Sequence, residues 1–123
     1  MATKTMKLDV KRFDAPDEVR TFEKGRLELV TVAGRTFGRA SYEPGWKWSV
    51  HVAPLAGTNS CEVEHVVLVL SGRCAVRTDD GSERTLEPGD LAYVPPGHDS
   101  WVIGDEPYVS LHFLGAAAYA AQK

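Results

Sequence analysis

Short runs of β-branched and aromatic residues alternate along this chain with clusters of Gly, Pro, Asn and Asp. The punctuation recurs about every eight to twelve residues, the rhythm of an all-β sandwich or barrel. The clearest predicted strands are Arg26–Val32, Thr36–Tyr42, Lys47–Val52, His65–Leu70, Cys74–Thr78, Leu91–Pro95 and Tyr108–Phe113. "HVVLVL" (His65–Leu70) is apolar without alternation, which predicts a strand buried on both faces. "TDDGSE" (Thr78–Glu83) carries the Asp-Gly pair of a tight hairpin. "EPGD" (Glu87–Asp90) and "PPGHD" (Pro95–Asp99) read as further turns, with Asp90 bonding the local backbone. Two segments read as helical. Ala15–Phe22 has a proline and acidic residues near its start, and the alanine-rich Ala116–Gln122 could equally form a terminal turn or fray.

The 123 residues fit one domain, with a core over about residues 26–114, an arm over 1–25 and a tail over 115–123. A formal net charge of −3, with no block of like charge, gives no electrostatic footprint for nucleic acid. No apolar run reaches the roughly 20 residues that span a bilayer, and "MATKTMKLDV" has no apolar core of a secretory signal. Two cysteines, Cys61 and Cys74, are too few for a disulfide scaffold, so the expected setting is cytoplasmic with reduced thiols.

The candidate chemistry centres on "SCEVEH", where Cys61 stands four residues before His65. On a straight strand the two would share a face about 13 Å apart, at roughly 3.3 Å per residue. No ion with bonds of about 2.0–2.3 Å bridges that gap, so a shared metal requires a bend between them. His51 and His98 are the further candidates, the first on the predicted strand "KWSVHV" and the second after a turn. A mixed nitrogen and sulfur set points to a divalent transition metal, Zn first, with Fe, Ni or Cu as alternatives, and away from Mg or Ca. Bland readings stand beside these. Cys61 could be a small buried hydrophobe, His51 and His65 hydrogen-bonded structural residues, and His98 a turn residue paired to Asp99. His112, alternating with Leu111 and Phe113, is expected on the face away from the core. Cys74 reads as core packing. Glu62 and Glu64 read as solvated, or one of them as an extra ligand or general base. Trp46, Trp48 and Trp101 would line a ligand pocket or fill the core or an interface.

Over roughly Thr36–Phe113 the sequence resembles the cupins. "GDLAYVPPG" fits the second cupin motif, G-x5-P-x-G, from Gly89 through Pro95 to Gly97. "HVVLVLSG" keeps the acid-x6-G spacing that ends the first motif, with His65 in the acidic place before Gly72. "GWKWSVH" matches its G-x5-H opening from Gly45 to His51. The departures are specific. The second His of the opening H-x-H would fall at Ala53. Counted back from His65 it falls at Cys61, which makes "APLAGTNS" (Ala53–Ser60) an inserted loop. The His of the second motif would fall at Ser100, whereas this chain has His98 directly after Gly97.

The resemblance implies an all-β, cupin-type β-barrel, a jelly roll or double-stranded β-helix with short peripheral helical turns. It also implies a modified metal site drawn from His51, Cys61, His65 and His98, and pairing of copies into a homodimer. The expected function is binding of a transition metal and a small organic ligand in the barrel, in an oxygenase-, isomerase- or lyase-type enzyme. The alternatives are a non-catalytic small-molecule binding or sensor module and a metal-free structural barrel.

Overall fold

The computed structural model describes residues 7–120. Its nine strands are β1 (Glu18–Phe22), β2 (Gly25–Val32), β3 (Arg35–Tyr42), β4 (His65–Ser71), β5 (Arg73–Thr78), β6 (Glu83–Leu86), β7 (Leu91–Val94), β8 (His98–Ile103) and β9 (Tyr108–Leu114). Two four-residue helices, α1 (Trp48–His51) and α2 (Ala53–Ala56), lie between β3 and β4. The strands form a six-stranded sheet in the order β1-β2-β3-β9-β4-β7 and a three-stranded sheet in the order β6-β5-β8. Every recorded pairing is antiparallel. This is an all-β architecture as the strand rhythm predicts, in the jelly-roll form that the resemblance implies.

Side-chain alternation directs one set of each strand inward. Leu27 and Leu29 of β2, Ala40 and Tyr42 of β3, Val67 and Val69 of β4, and Cys74 of β5 form the core with Leu86, Val102 and Tyr108. Full burial of a side chain such as Leu27 or Val69 contributes about 1.5–3 kcal/mol. Cys74 packs there as expected, with burial raising its thiol pKa to about 12. The two cysteines are free thiols. β4 is buried on its inner face only: His65, Val67 and Val69 are buried, whereas Val66 and Leu68 are half-buried.

Two predicted elements change type. Ala15–Phe22 is not a helix. From Glu18 it is strand β1, paired residue by residue with β2, with Lys24 turning the chain at φ 62°. Phe22 packs edge-on to Tyr119, so tertiary pairing overrides a weak helical propensity. The sheet therefore begins inside the segment assigned to the N-terminal arm. Lys47–Val52 is not a strand. Trp48 and Val52, four apart, are both buried, and Val50 between them is 58% exposed, which is helical spacing. The expected loop Ala53–Ser60 starts with α2, whose Pro54 sits in the first turn where its missing N–H costs nothing.

The Thr78–Glu83 hairpin joins β5 to β6 as predicted, closed by the Thr78 N–H donating to Ser82 O at 2.8 Å. Asp90 Oδ2 accepts from the Glu87 N–H at 2.7 Å, the local bond expected of it. Trp46 and Trp48 fill the core, Trp46 stacked 3.8 Å from Tyr42. Trp101 is half-buried under the Lys47 ammonium. The alanine-rich tail is a series of turns over residues 116–120, and the last two positions of the expected helix, 121 and 122, lie outside the described residues. The tail's Tyr119 is buried, with its hydroxyl 2.6 Å from that of Tyr42. Arg20 holds the carbonyls of Ala117 and Tyr119 at 2.8 Å each.

Candidate metal centre

Cys61 is fixed by backbone before any side-chain chemistry is considered. Its N–H donates to His98 O at 2.7 Å, and its own carbonyl accepts from Gly97 at 2.7 Å and from His98 at 3.2 Å. This isolated bridge seats Cys61 beside the start of β8. Residues 62–64 carry no strand, and β4 begins at His65. The chain therefore bends between Cys61 and His65, and their side chains meet. Sγ lies 3.6 Å from Nε2 of His65, against the roughly 13 Å of a straight strand.

His98 joins from the other wall. The Pro-Pro-Gly turn before it places Gly97 at φ +84°, a region that favours glycine. His98 Nδ1 lies 2.7 Å from Pro95 O. A carbonyl only accepts, so Nδ1 carries the proton and Nε2 keeps its lone pair for the site. One ligand atom each from Cys61, His65 and His98 lies within 4.8 Å of the other two, and all three residues are buried.

His51 is not brought into this group. It ends α1 with Nδ1 accepting the Lys47 N–H at 3.0 Å and Nε2 3.8 Å from the Glu23 carboxylate. The misread strand explains the misplacement, because as a helix the segment turns His51 away from the barrel. His112, expected on the outer face, is instead 5% exposed and stands 5.1 Å from the His65 ring. The alternation was read correctly and its direction reversed. Tyr108, Ser110 and His112 point inward and Phe113 outward, and the inward set lines a cavity shared with His65 and His98. Glu62 and Glu64 are exposed, with Glu64 accepting from the Tyr93 hydroxyl at 2.9 Å.

The cavity is about 40 Å³ and is lined by His65, His98, Ser110, His112, Tyr42 and Tyr119, among others. That is room for a few waters. Burial, then the neighbouring His112 and His98, pushes the His65 pKa down to about 2. Burial alone lowers His112 to about 4, and His98 is lowered chiefly by burial. Burial raises Cys61 to about 11. The imidazoles are thus neutral, the form that ligates metal. The Nδ1 atoms of His65 and His112 are buried without a hydrogen-bond partner, a costly arrangement for residues that only fill space. A second cavity of about 340 Å³ adjoins the first, sharing Val76, Leu86 and Val94 with it. It lies at β6 and β7, the facing edges of the two sheets.

The donor set fits a transition metal. Two imidazoles and a thiol are borderline-soft ligands. With bonds of about 2.0–2.3 Å, tetrahedral ligands stand about 3.3–3.8 Å apart, which the 3.6 Å contact of Cys61 with His65 matches. The hydrogen bond from His98 to Pro95 is the outer-shell partner that orients a ligating histidine. Three protein donors leave one tetrahedral position for water or a small molecule.

The family model of the EutQ-like cupin domain matches residues 47–108, a stretch that contains Cys61, His65 and His98. Among solved structures, the chain is similar to a protein of unknown function from Rhizobium leguminosarum bv. viciae, at 23% identity over 87% of this chain and 95% of that one, with a TM-score of 0.59. It is similar to a cupin-like protein from Thermotoga maritima, at 17% identity over 76% and 70%, TM-score 0.53. It is also similar to a sugar phosphate isomerase from a cupin superfamily of Silicibacter pomeroyi, at 22% identity over 73% and 58%, TM-score 0.53. At such identities the likeness concerns the fold. No curated protein matches the chain. The matched segment takes in half of the sequence, and the barrel agrees with it: the chain belongs to the EutQ-like cupin family.

Proposed function

We propose that Cys61, His65 and His98 hold a divalent transition ion, Zn²⁺ first, and that the adjoining cavity admits a small organic molecule to the open position. The observation that carries this reading is the convergence of three buried donors within 4.8 Å, with the His98 tautomer set by Pro95 O. When bound, the ion supplies Lewis acidity toward an oxygen of the guest. The protein's own part is to exclude water, to hold the guest between the two sheet edges and to present His112 as the one imidazole of the inner cavity that is not a ligand. Among the described solved relatives is a sugar phosphate isomerase, which is compatible with carbonyl chemistry in such a barrel.

A non-catalytic binding module is the second reading. It is favoured by the exposure of Glu62 and Glu64, which leaves both carboxylates solvated, and by a donor group that among the described residues contains no carboxylate.

Elemental analysis of protein purified without a metal-chelating tag separates metal from no metal. The expected result is about one equivalent per chain in the wild type and a large loss in His65→Ala, with His51→Ala unaffected. Substoichiometric metal in the wild type after growth in zinc-supplemented medium contradicts the reading. Product formation across a panel of hydroxy- and keto-acids distinguishes an enzyme from a binder, for which ligands raise the melting temperature without turnover.

A further inference from the structure

Pairing register across the small sheet places an arginine on the inner wall of the barrel mouth. Cys74 pairs with Leu86 across β5 and β6, and both are buried, so this set faces inward. Val76 pairs with Arg84 in the same ladder. Residues two apart share a face, so Arg84 belongs with Leu86 on the inner side. On the other side of β5, Val76 pairs with Ser100 and Thr78 with His98. One rung of this sheet therefore reads Arg84–Val76–Ser100, and the next contains His98. Arg84 lines the 340 Å³ cavity and Ser100 the inner one, with Val76 common to both.

Arg84 is exposed at this mouth, so its guanidinium is hydrated there and can exchange that water for an anion entering the cavity. Among the described residues Arg84 has no ion pair. Its neighbour Glu83 pairs with Arg77 across the ladder, in the set that alternates to the outer face. Asp90, on the same cavity, has its carboxylate engaged by the Glu87 N–H. The hydroxyl-bearing Thr78, Ser82 and Thr85 border the same space.

We propose that the guest of the metal centre is a small organic acid whose carboxylate is bound by Arg84, with its other end at the open metal position; the proposal rests on the metal reading above. A guanidinium fork matches a carboxylate in geometry and charge. A single cation with no second positive group suits a singly charged end better than a phosphate. Arg84 lies two strands across and two residues along from His98, so their backbones stand about 12 Å apart at the spacings of a β-sheet. Side chains on one face stand roughly perpendicular to the sheet, so the long arginine must lean toward His98 to leave a span that an acid of a few carbons bridges.

The test is calorimetric titration of zinc-loaded protein with malonate, its neutral diamide malonamide, and inorganic phosphate, in wild type, Arg84→Gln and Arg84→Lys. Zinc content is measured on the same samples. The expected result is malonate binding to wild type, at least about tenfold weaker binding to Arg84→Gln, partial recovery in Arg84→Lys, no malonamide binding, and zinc content equal in all three. Equal malonate affinity in wild type and Arg84→Gln at full zinc content overturns the assignment, as does malonamide binding as tightly as malonate. Phosphate binding in preference to malonate, or no binding of any probe at millimolar concentration, overturns it too. Loss of zinc from Arg84→Gln also overturns it, by making the arginine a support of the centre. Absence of zinc from wild type with the malonate difference intact contradicts the metal reading alone and supports the anion site.

Discussion

Cys61 Sγ lies 3.6 Å from His65 Nε2, although four positions of an apparently extended sequence separate the two residues. The backbone bridge of Cys61 to His98 creates the bend, and the same bridge delivers the third donor. One local device thus sets the geometry of all three groups.

Gly115 guards that geometry from behind. Its φ is +88°, and a Cβ there would overlap Glu64 O and come within 3.1 Å of His65 Nδ1. Gly115→Ala must shift the backbone that starts β4. We expect a loss of about 1–3 kcal/mol from the backbone conformation alone and weaker zinc binding, read by urea melts and competition with a chelating dye. Unchanged zinc affinity would show that His65 is not held in place by this contact.

The Tyr42–Tyr119 hydroxyl pair tests the role of the tail. Both hydroxyls are buried, and their pKa values are raised well above the ordinary value, chiefly by burial. Tyr119→Phe strands the Tyr42 hydroxyl and is expected to cost about 1–3 kcal/mol. Adding Tyr42→Phe removes the stranded group, so the double variant should be no less stable than Tyr119→Phe. A strictly additive double-variant cycle in thermal melts would contradict a direct bond.

The buried imidazoles predict acid sensitivity. Folding holds His65 to about 2 and His112 to about 4, from an ordinary 6.5, and lowers His98 as well. Below pH 6.5 the unfolded chain takes up protons that the folded chain refuses. Stability is therefore full above that pH and declines as pH falls, toward pH 4 for His112 and further for His65. Each histidine contributes roughly 1 kcal/mol per pH unit in its window. Denaturant melts of chelator-treated protein at pH 7, 6 and 5 check this. A flat profile would show that the histidines are hydrated in the folded state.

Much of the barrel was legible because β3, β4 and β9 combine β-branched residues with flanking turn signals, and their observed limits differ from the predicted ones by a residue. The α1 segment was not, because Trp48, Val50 and Val52 alternate as in a strand. Only the 58% exposure of Val50 shows that the spacing of four between Trp48 and Val52 is the one that packs. Strand β6 was implied only by the hairpin before it, because "ERTL" is short and polar, and β8 was missed because "HDSWVI" opens on polar residues directly against a turn. The thiol and two of the site histidines were visible as residue types, and the bend that unites them was required by distance. His112 was misassigned because an inward polar residue betrays a cavity only when its neighbours across the sheet are known.

Metal ligation by Cys61, His65 and His98 is read most directly by cobalt(II) titration. A thiolate ligand gives a sulfur-to-cobalt charge-transfer absorption in the near ultraviolet, and low coordination number gives intense visible bands. Both are expected, saturating at about one equivalent per chain, with the charge-transfer band absent from Cys61→Ser and the visible bands lost in His65→Ala and His98→Ala. A spectrum without the charge-transfer band, or one unchanged by these substitutions, would contradict this ligation.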